Sequence, residues 1–267
     1  MTSGTGAWIG HDLGSRRVSW TDRDAILFAL AVGVPPERLD LVFEERLRVL
    51  PTFALTLAQW APDALGSAGA FEVGRALHGS QRLQVHAPLP PAGEMELSAR
   101  VSGVWDKGAA AVFDVEVTSE CFTATWSIFA PGAGGFGGER GPAREKADRG
   151  EPSWSTDLPL AANAAALYRL LGDRHHIHID PEAAARIDQP RPILHGLATL
   201  AAAAVVLADR VGAHPADLSR LEGRFAAPVF PGETVVVDAW DDGAFRVRSE
   251  RGVAIDGGIA EYAEAGR

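Results

Sequence analysis

Residues 191–212 read RPILHGLATLAAAAVVLADRVG, and the run LATLAAAAVVLA within them is apolar on nearly every helical face. A helix beginning near Leu194 therefore has no side to turn to water. It has to be wrapped by other elements, and a sheet curled round a buried helix meets that need.

The segments on either side support this. Downstream, APVFPGETVVVDAWDDGAFRVRSE reads as a turn followed by alternating strands, and upstream lies the shorter apolar run NAAALYRLLGD. The same order of parts occurs earlier: TDRDAILFALAVGV, then VLPTFALTLAQWA, then APLPPAGEMELSARVSGVWDKGAAAVFDVEVTS. APLPPAGEMEL matches APVFPGETVVV, and PTFALTL matches PILHGLATL. Short apolar and Pro-Gly strings match often by chance, but a shared order at similar positions in two halves points to a duplication. Between them PGAGGFGGERGPAREKADRGEP, residues 131–152, is rich in Gly, Pro and charge and reads as a linker. The expected division is residues 1–130, a linker over 131–155, and 156–267, each half an α+β unit with one long helix and an antiparallel sheet.

Composition bounds the function. The chain has 267 residues, 46% hydrophobic and 22% charged, which is the make-up of a soluble globule. Its net charge of -10, from 35 acidic against 25 basic residues, repels polyanions, so nucleic acid is excluded as a partner. The single cysteine, Cys121, excludes a disulfide framework and fits a reducing compartment. No apolar stretch is long enough to span a bilayer and the N-terminus lacks a secretory pattern, so no membrane partner and a cytoplasmic location are expected.

The chemistry concentrates in GDRHHIHID, residues 172–180. Three His and two Asp are ligand types for zinc or non-haem iron, but His175 and His176 are adjacent and diverge. A solvated polar turn is a second reading. The third is an acid/base pair of Asp173 and His178: five positions apart they diverge on a helix, but between Gly172 and Pro181 the chain is a loop in which they can converge. Asp180 suits an N-cap and Pro181 the first position of a short helix over PEAAARI. At the start of the long helix, Gly196 lets a substrate approach the unpaired first-turn NH groups, or else packs tightly on a strand. His195 reads as a packed or hydrogen-bonded helix-start residue, and His176 as a surface one.

The stretch Tyr168 to His178 resembles the hydratase 2 motif of the MaoC-like family, Tyr-x-Leu-Ser-Gly-Asp-x-Asn-Pro-Leu-His followed by Asp-Pro: Tyr168, Leu170, Gly172, Asp173, His178, Asp180 and Pro181 stand in matching places. RPILHGLATL, RFAAPVFPGETV and GAGGFGG resemble further segments of the family, so the likeness runs over nearly the whole chain. Leu171, His175 and His176 depart from it, standing for Ser, Asn and Pro, and His175 replaces a residue that places the catalytic water.

The resemblance implies a double hot dog. Its C-terminal half would be catalytic through Asp173 and His178, with the Gly196 NH holding the thioester oxygen and His175 at the water site. Its N-terminal half, where FALAVGVPPER is the counterpart of YRLLGDRHHIH without Asp or His, would be an acyl-binding tunnel, with Phe53 and Trp60 as apolar candidates on its helix. The implied activity is (R)-specific trans-2-enoyl-CoA hydration or the reverse dehydration on an acyl-CoA thioester, with no cofactor and no metal, in a homodimer. Gly134, Gly135, Phe136 and Gly137 with Arg140 are candidates for the CoA phosphates, against a plain linker, and Arg224 for substrate binding, against a structural salt bridge. Two other readings share the fold: a different elimination or lyase step on a CoA or carrier-protein thioester, and a non-catalytic acyl-thioester-binding subunit.

Overall fold

Alternation builds the strands. Over residues 94–101 Met95, Leu97, Ala99 and Val101 are buried while Glu94, Glu96, Ser98 and Arg100 are exposed, a period of two that lays one face on a core and gives the other to water. The computed structural model describes residues 4–142 and 149–263. It contains strands β1 (Asp12–Trp20), β2 (Leu77–Val85), β3 (Gly93–Asp106), β4 (Ala110–Thr118), β5 (Phe122–Pro131), β6 (Trp154–Pro159), β7 (Leu218–Phe225), β8 (Thr234–Ala239), β9 (Ala244–Ser249) and β10 (Gly252–Tyr262). The helices are α1 (Asp22–Ala31), α2 (Leu39–Val42), α3 (Ala54–Ala58), α4 (Trp60–Ser67), α5 (Ala164–Tyr168), α6 (Pro181–Ala185) and α7 (Gly196–Val211).

The strand order is β1-β3-β4-β5-β2-β7-β10-β9-β8-β6. Read from its outer strand inward, each half has the same sequence of strands, so the duplication holds at the level of topology. Where two separate sheets were expected, the halves share one ten-stranded antiparallel sheet, because the inner edges β2 and β7 pair with each other. An open edge carries unpaired NH and CO groups, and this pairing satisfies both at once. Arg82 faces Glu222 across that seam, and Phe28 of α1 meets Tyr168 of α5 with ring centroids 5.9 Å apart. Both couples are 140 residues apart in the chain, so the internal dyad passes between them.

α7 is the buried helix. Eleven of its residues, Leu197 to Val205 with Leu207 and Ala208, are buried, and it packs against β7, β10 and β6. Fully removing a Leu such as Leu200 from water contributes about 2 kcal/mol, so the wrapping is a large favourable contribution. The first half lacks one long helix. A 3-10 turn at Pro51–Phe53 leads into α3, and a break at Gln59 separates it from α4. Pro62 has no NH to give the Ala58 carbonyl, which accounts for the interruption. Trp154 and Ser155 belong to β6, so the linker is shorter at its C-terminal end than expected, and residues 143–148 of it lie outside the described residues.

Where the second half carries its Asp/His loop, the first half carries an ionic clamp. Arg38, the counterpart of His178, donates to Asp209 near the end of α7 at 2.9 Å and to Asp40 at 3.0 Å. His214 Nε2 stands 2.8 Å from the same Asp40 carboxylate, and Arg48 pairs with Asp217. The two halves are thus tied at a place where the duplication predicts a second site. Arg38→Ala should lower stability in urea unfolding by about 1–2 kcal/mol and lose that effect in high salt. Arg17→Ala, at an ion pair with both side chains at least 65% exposed, should change it by less than about 0.5 kcal/mol. Equal effects of the two would count against the clamp.

Candidate active site

The loop after α5 is shaped by its first residue. Gly172 has φ 142°, a conformation that side-chain-bearing residues rarely adopt, and the chain turns away from the helix there. Asp173 and His178 then converge as the loop reading expects, with Asp173 Oδ2 3.8 Å from His178 Nε2. The other carboxylate oxygen accepts the NH of His175 at 3.1 Å, which fixes the orientation of the acid. His175 Nδ1 accepts the NH of Ile177 at 3.4 Å and caps the 3-10 turn His176–His178. Its imidazole thus takes a capping role that Asn commonly fills. His176 is exposed; Asp180 caps α6 through the Glu182 NH at 2.9 Å, with Pro181 first in the helix.

His178 is buried and its tautomer follows from its partner. Nδ1 lies 2.9 Å from the Ile193 carbonyl, which can only accept, so Nδ1 carries the proton and the neutral ring turns a bare Nε2 toward Asp173. Burial, outweighing the nearby Asp173 charge, holds its pKa below the ordinary 6.5. Beneath it lies His195, 2% exposed, with the two rings stacked at 3.7 Å and 24°. His195 Nε2 donates to the Asp173 main-chain carbonyl at 3.1 Å, so it braces the acid from behind. Burial, and secondarily the neighbouring His178, push its pKa down to about 3. It is a packed, hydrogen-bonded helix-start residue as expected; its stacking on the candidate base carried no signal in the sequence.

Gly196 begins α7 directly after His195. A Cβ here would stand 2.8 Å from the ring of Phe225, so the tight-packing reading of this glycine holds. The helix-terminus reading is compatible with it, because intrahelical bonding begins only with the Ala198 NH to the His195 carbonyl, and the first-turn NH groups stand ahead of that. Beside the loop, Leu171, Gly172 and Arg174 together with Trp20, Phe53 and Thr56 line a cleft of about 320 Å³. It joins the two halves. Phe53 itself is buried, and its ring meets Phe28 at 5.6 Å, so packing is its main work; Trp60 is half-buried.

The other candidates stand elsewhere. Gly135 and Gly137 donate their NH groups to the Asp106 carboxylate at 2.9 and 2.8 Å, and a Cβ on Gly134 would collide with the Gly108 and Ala110 carbonyls. Phe136 packs against the core, and the Arg140 carbonyl accepts Lys107. The glycine segment is therefore folded onto the β3–β4 turn, and those two NH groups are taken by a carboxylate instead of a phosphate. Arg224 pairs with Asp256 at 2.8 Å, the structural salt bridge that was its alternative.

Asp173, His178 and His195 bring one possible ligand atom each within 4.8 Å of one another, a trio that the sequence alone did not assemble. Yet the two imidazoles lie face to face, so their in-plane lone pairs run side by side and a shared ion would sit far out of both ring planes. A carboxylate and a neutral imidazole facing one space at a helix start suit proton transfer better.

Residues 18–130 match the MFE-2 hydratase 2 N-terminal domain and residues 145–261 the MaoC like domain. The chain is 37% identical to enoyl-CoA hydratase ChsH3 of Mycobacterium tuberculosis over 260 residues, which cover 90% of each. In fold it is similar to the crystal structure of a MaoC-like dehydratase from Phytophthora capsici, with a TM-score of 0.87, 24% identity and 98% of each chain covered. A second solved structure, a Mycobacterium tuberculosis protein with a double hot dog fold, matches with a TM-score of 0.58 and 14% identity, over 95% of this chain and 97% of that one. With both halves matched in order and a relative aligned over 90% of each chain, the chain belongs to the MaoC-like hydratase 2 family and has its double hot dog fold.

Proposed function

We propose that the protein is an (R)-specific trans-2-enoyl-CoA hydratase, working reversibly as a 3-hydroxyacyl-CoA dehydratase, with one active site in its C-terminal half. The observation that carries this is the Asp173–His178 pair, with the unprotonated Nε2 of His178 facing the carboxylate across 3.8 Å at the start of α7. A water held by the two gives a proton to His178 Nε2 as its oxygen bonds to C3 of the enoyl thioester. The electron pair of the double bond moves toward C2 and the thioester oxygen, where the Gly196 NH and the α7 dipole stabilise the charge. The protonated His178 then delivers that proton to C2, which completes the addition of one water and restores the base, and no step draws on a metal or cofactor.

The cleft at Phe53 and Thr56 supports an acyl-binding role for the N-terminal half. The ion pair of Arg224 and the Asp106-bound glycine segment argue against those residues as the CoA phosphate site. A reducing, cytoplasmic setting is supported by Cys121, the chain's one cysteine, lying buried. Assembly as a homodimer is part of the same proposal, and a lone 28.2 kDa species by light scattering would count against it.

Purified protein mixed with crotonyl-CoA and longer trans-2-enoyl-CoAs should bleach the absorbance of the conjugated thioester and yield the (R)-alcohol. No turnover at any chain length sinks the proposal. Asp173→Asn and His178→Ala should each lower kcat/KM by about 10²–10⁴-fold; wild-type rates would move the site elsewhere.

The hydration rate should depend on pH with a known sign. His178 must be neutral to accept a proton, and its pKa lies below 6.5, so the rate should fall on acidification with the midpoint of that fall below pH 6.5. Half the activity lost above pH 6.5 would contradict this assignment of the base. Gly196→Ala forces the helix start and the Phe225 ring apart, and kcat should fall about 10- to 100-fold. A variant with wild-type kcat would remove Gly196 from the site.

A further inference from the structure

The ring against which Gly196 packs is itself held from the other half of the molecule. Phe225 is the last residue of β7, next to Arg224, which faces Ser80 of β2 across the seam. Its ring fills the space that a Cβ on Gly196 would need. The same ring meets the imidazole of His78, with centroids 4.7 Å apart and planes at 62°, an edge contact. His78 Nε2 donates to the Ser80 carbonyl at 3.1 Å, which pins the imidazole to its own strand. Burial pushes its pKa down to about 4, so the ring stays neutral and can remain in this apolar contact.

We propose that His78 is a positioning residue for the thioester-oxygen site: from the N-terminal half it wedges Phe225 against Gly196 and so sets where the first NH groups of α7 point. The proposal rests on the hydratase reading of Gly196. Without the imidazole, Phe225 can swing toward β2, and the helix start loses the surface that fixes it. A donor displaced by about 1 Å from a developing charge costs far more in rate than in binding. The counterpart of His78, 140 residues on, is Leu218, so the imidazole stands only in the half that flanks the Asp173–His178 loop.

The test reads the oxygen site directly. The carbonyl stretch of bound, isotope-labelled butyryl-CoA, a saturated thioester that cannot be hydrated, is recorded by infrared difference spectroscopy beside kcat and KM for crotonyl-CoA. The wild-type protein should lower the stretch relative to water. His78→Ala should lose part of that shift and about tenfold in kcat, with KM within about twofold. His78→Phe keeps an aromatic edge against Phe225 and should recover both readouts. If His78→Ala does not fold, Phe225→Leu removes the wedge and should give the same pattern. Crotonyl-CoA turnover with unchanged kcat and stretch in His78→Ala overturns the role of His78 alone, as does a loss confined to KM. A wild-type carbonyl shift without turnover would sink the hydratase reading while leaving His78 to be judged by the shift. No wild-type shift overturns the oxygen site and this proposal with it.

Discussion

The pairing of β2 with β7 is the constraint on which the rest depends. It removes the inner open edge of each half, leaving β1 and β6 as the outer ones, and it runs the sheet on from one half into the other. It also decides where chemistry can occur. Phe225 ends β7, His78 lies at the start of β2, and the loop of Asp173 and His178 sits above α7 at the same end of the seam. The proposed site there draws on both halves, although its candidate acid and base come from one.

Around that seam the duplication has been put to two uses. One end of the dyad has Asp173, His178 and a stacked His195; the related end has Gly33 and Arg38 at the corresponding places, with Asp40 and Asp209 paired to the guanidinium and His214 against Asp40. The first arrangement leaves a bare nitrogen facing a carboxylate across a gap of 3.8 Å, the geometry on which the proposed proton transfer rests. In the second, cation and anions are in direct contact, which stabilises the join between the halves and leaves no room for a water between acid and base.

Much of this was legible in the chain. A helix apolar on all sides demanded a wrapping sheet, and the local grammar of Gly172, Asp180 and Pro181 foretold a loop that folds Asp173 toward His178. What stayed hidden depended on contacts between distant segments. Nothing near residue 78 reveals that its imidazole will lie against Phe225, and nothing in GAGGFGG shows that its NH groups will close on Asp106. Glycine-rich runs advertise free donors, but whether a carboxylate of the same chain claims them is settled by tertiary folding. The union of two sheets into one was hidden for the same reason, since strand edges carry no side-chain signal of their partner.

Covalent continuity between the halves has a consequence for how the seam behaves. Two separate chains meeting along β2 and β7 would come apart on dilution, whereas here the encounter is intramolecular, with an effective local concentration on the order of millimolar for a flexible connection. The seam can therefore be modest in strength and the site still complete at any protein concentration. It also means that a substitution enters one side of the dyad without its mirror image, so each half is free to specialise, as the imidazole at 78 and the leucine at 218 illustrate.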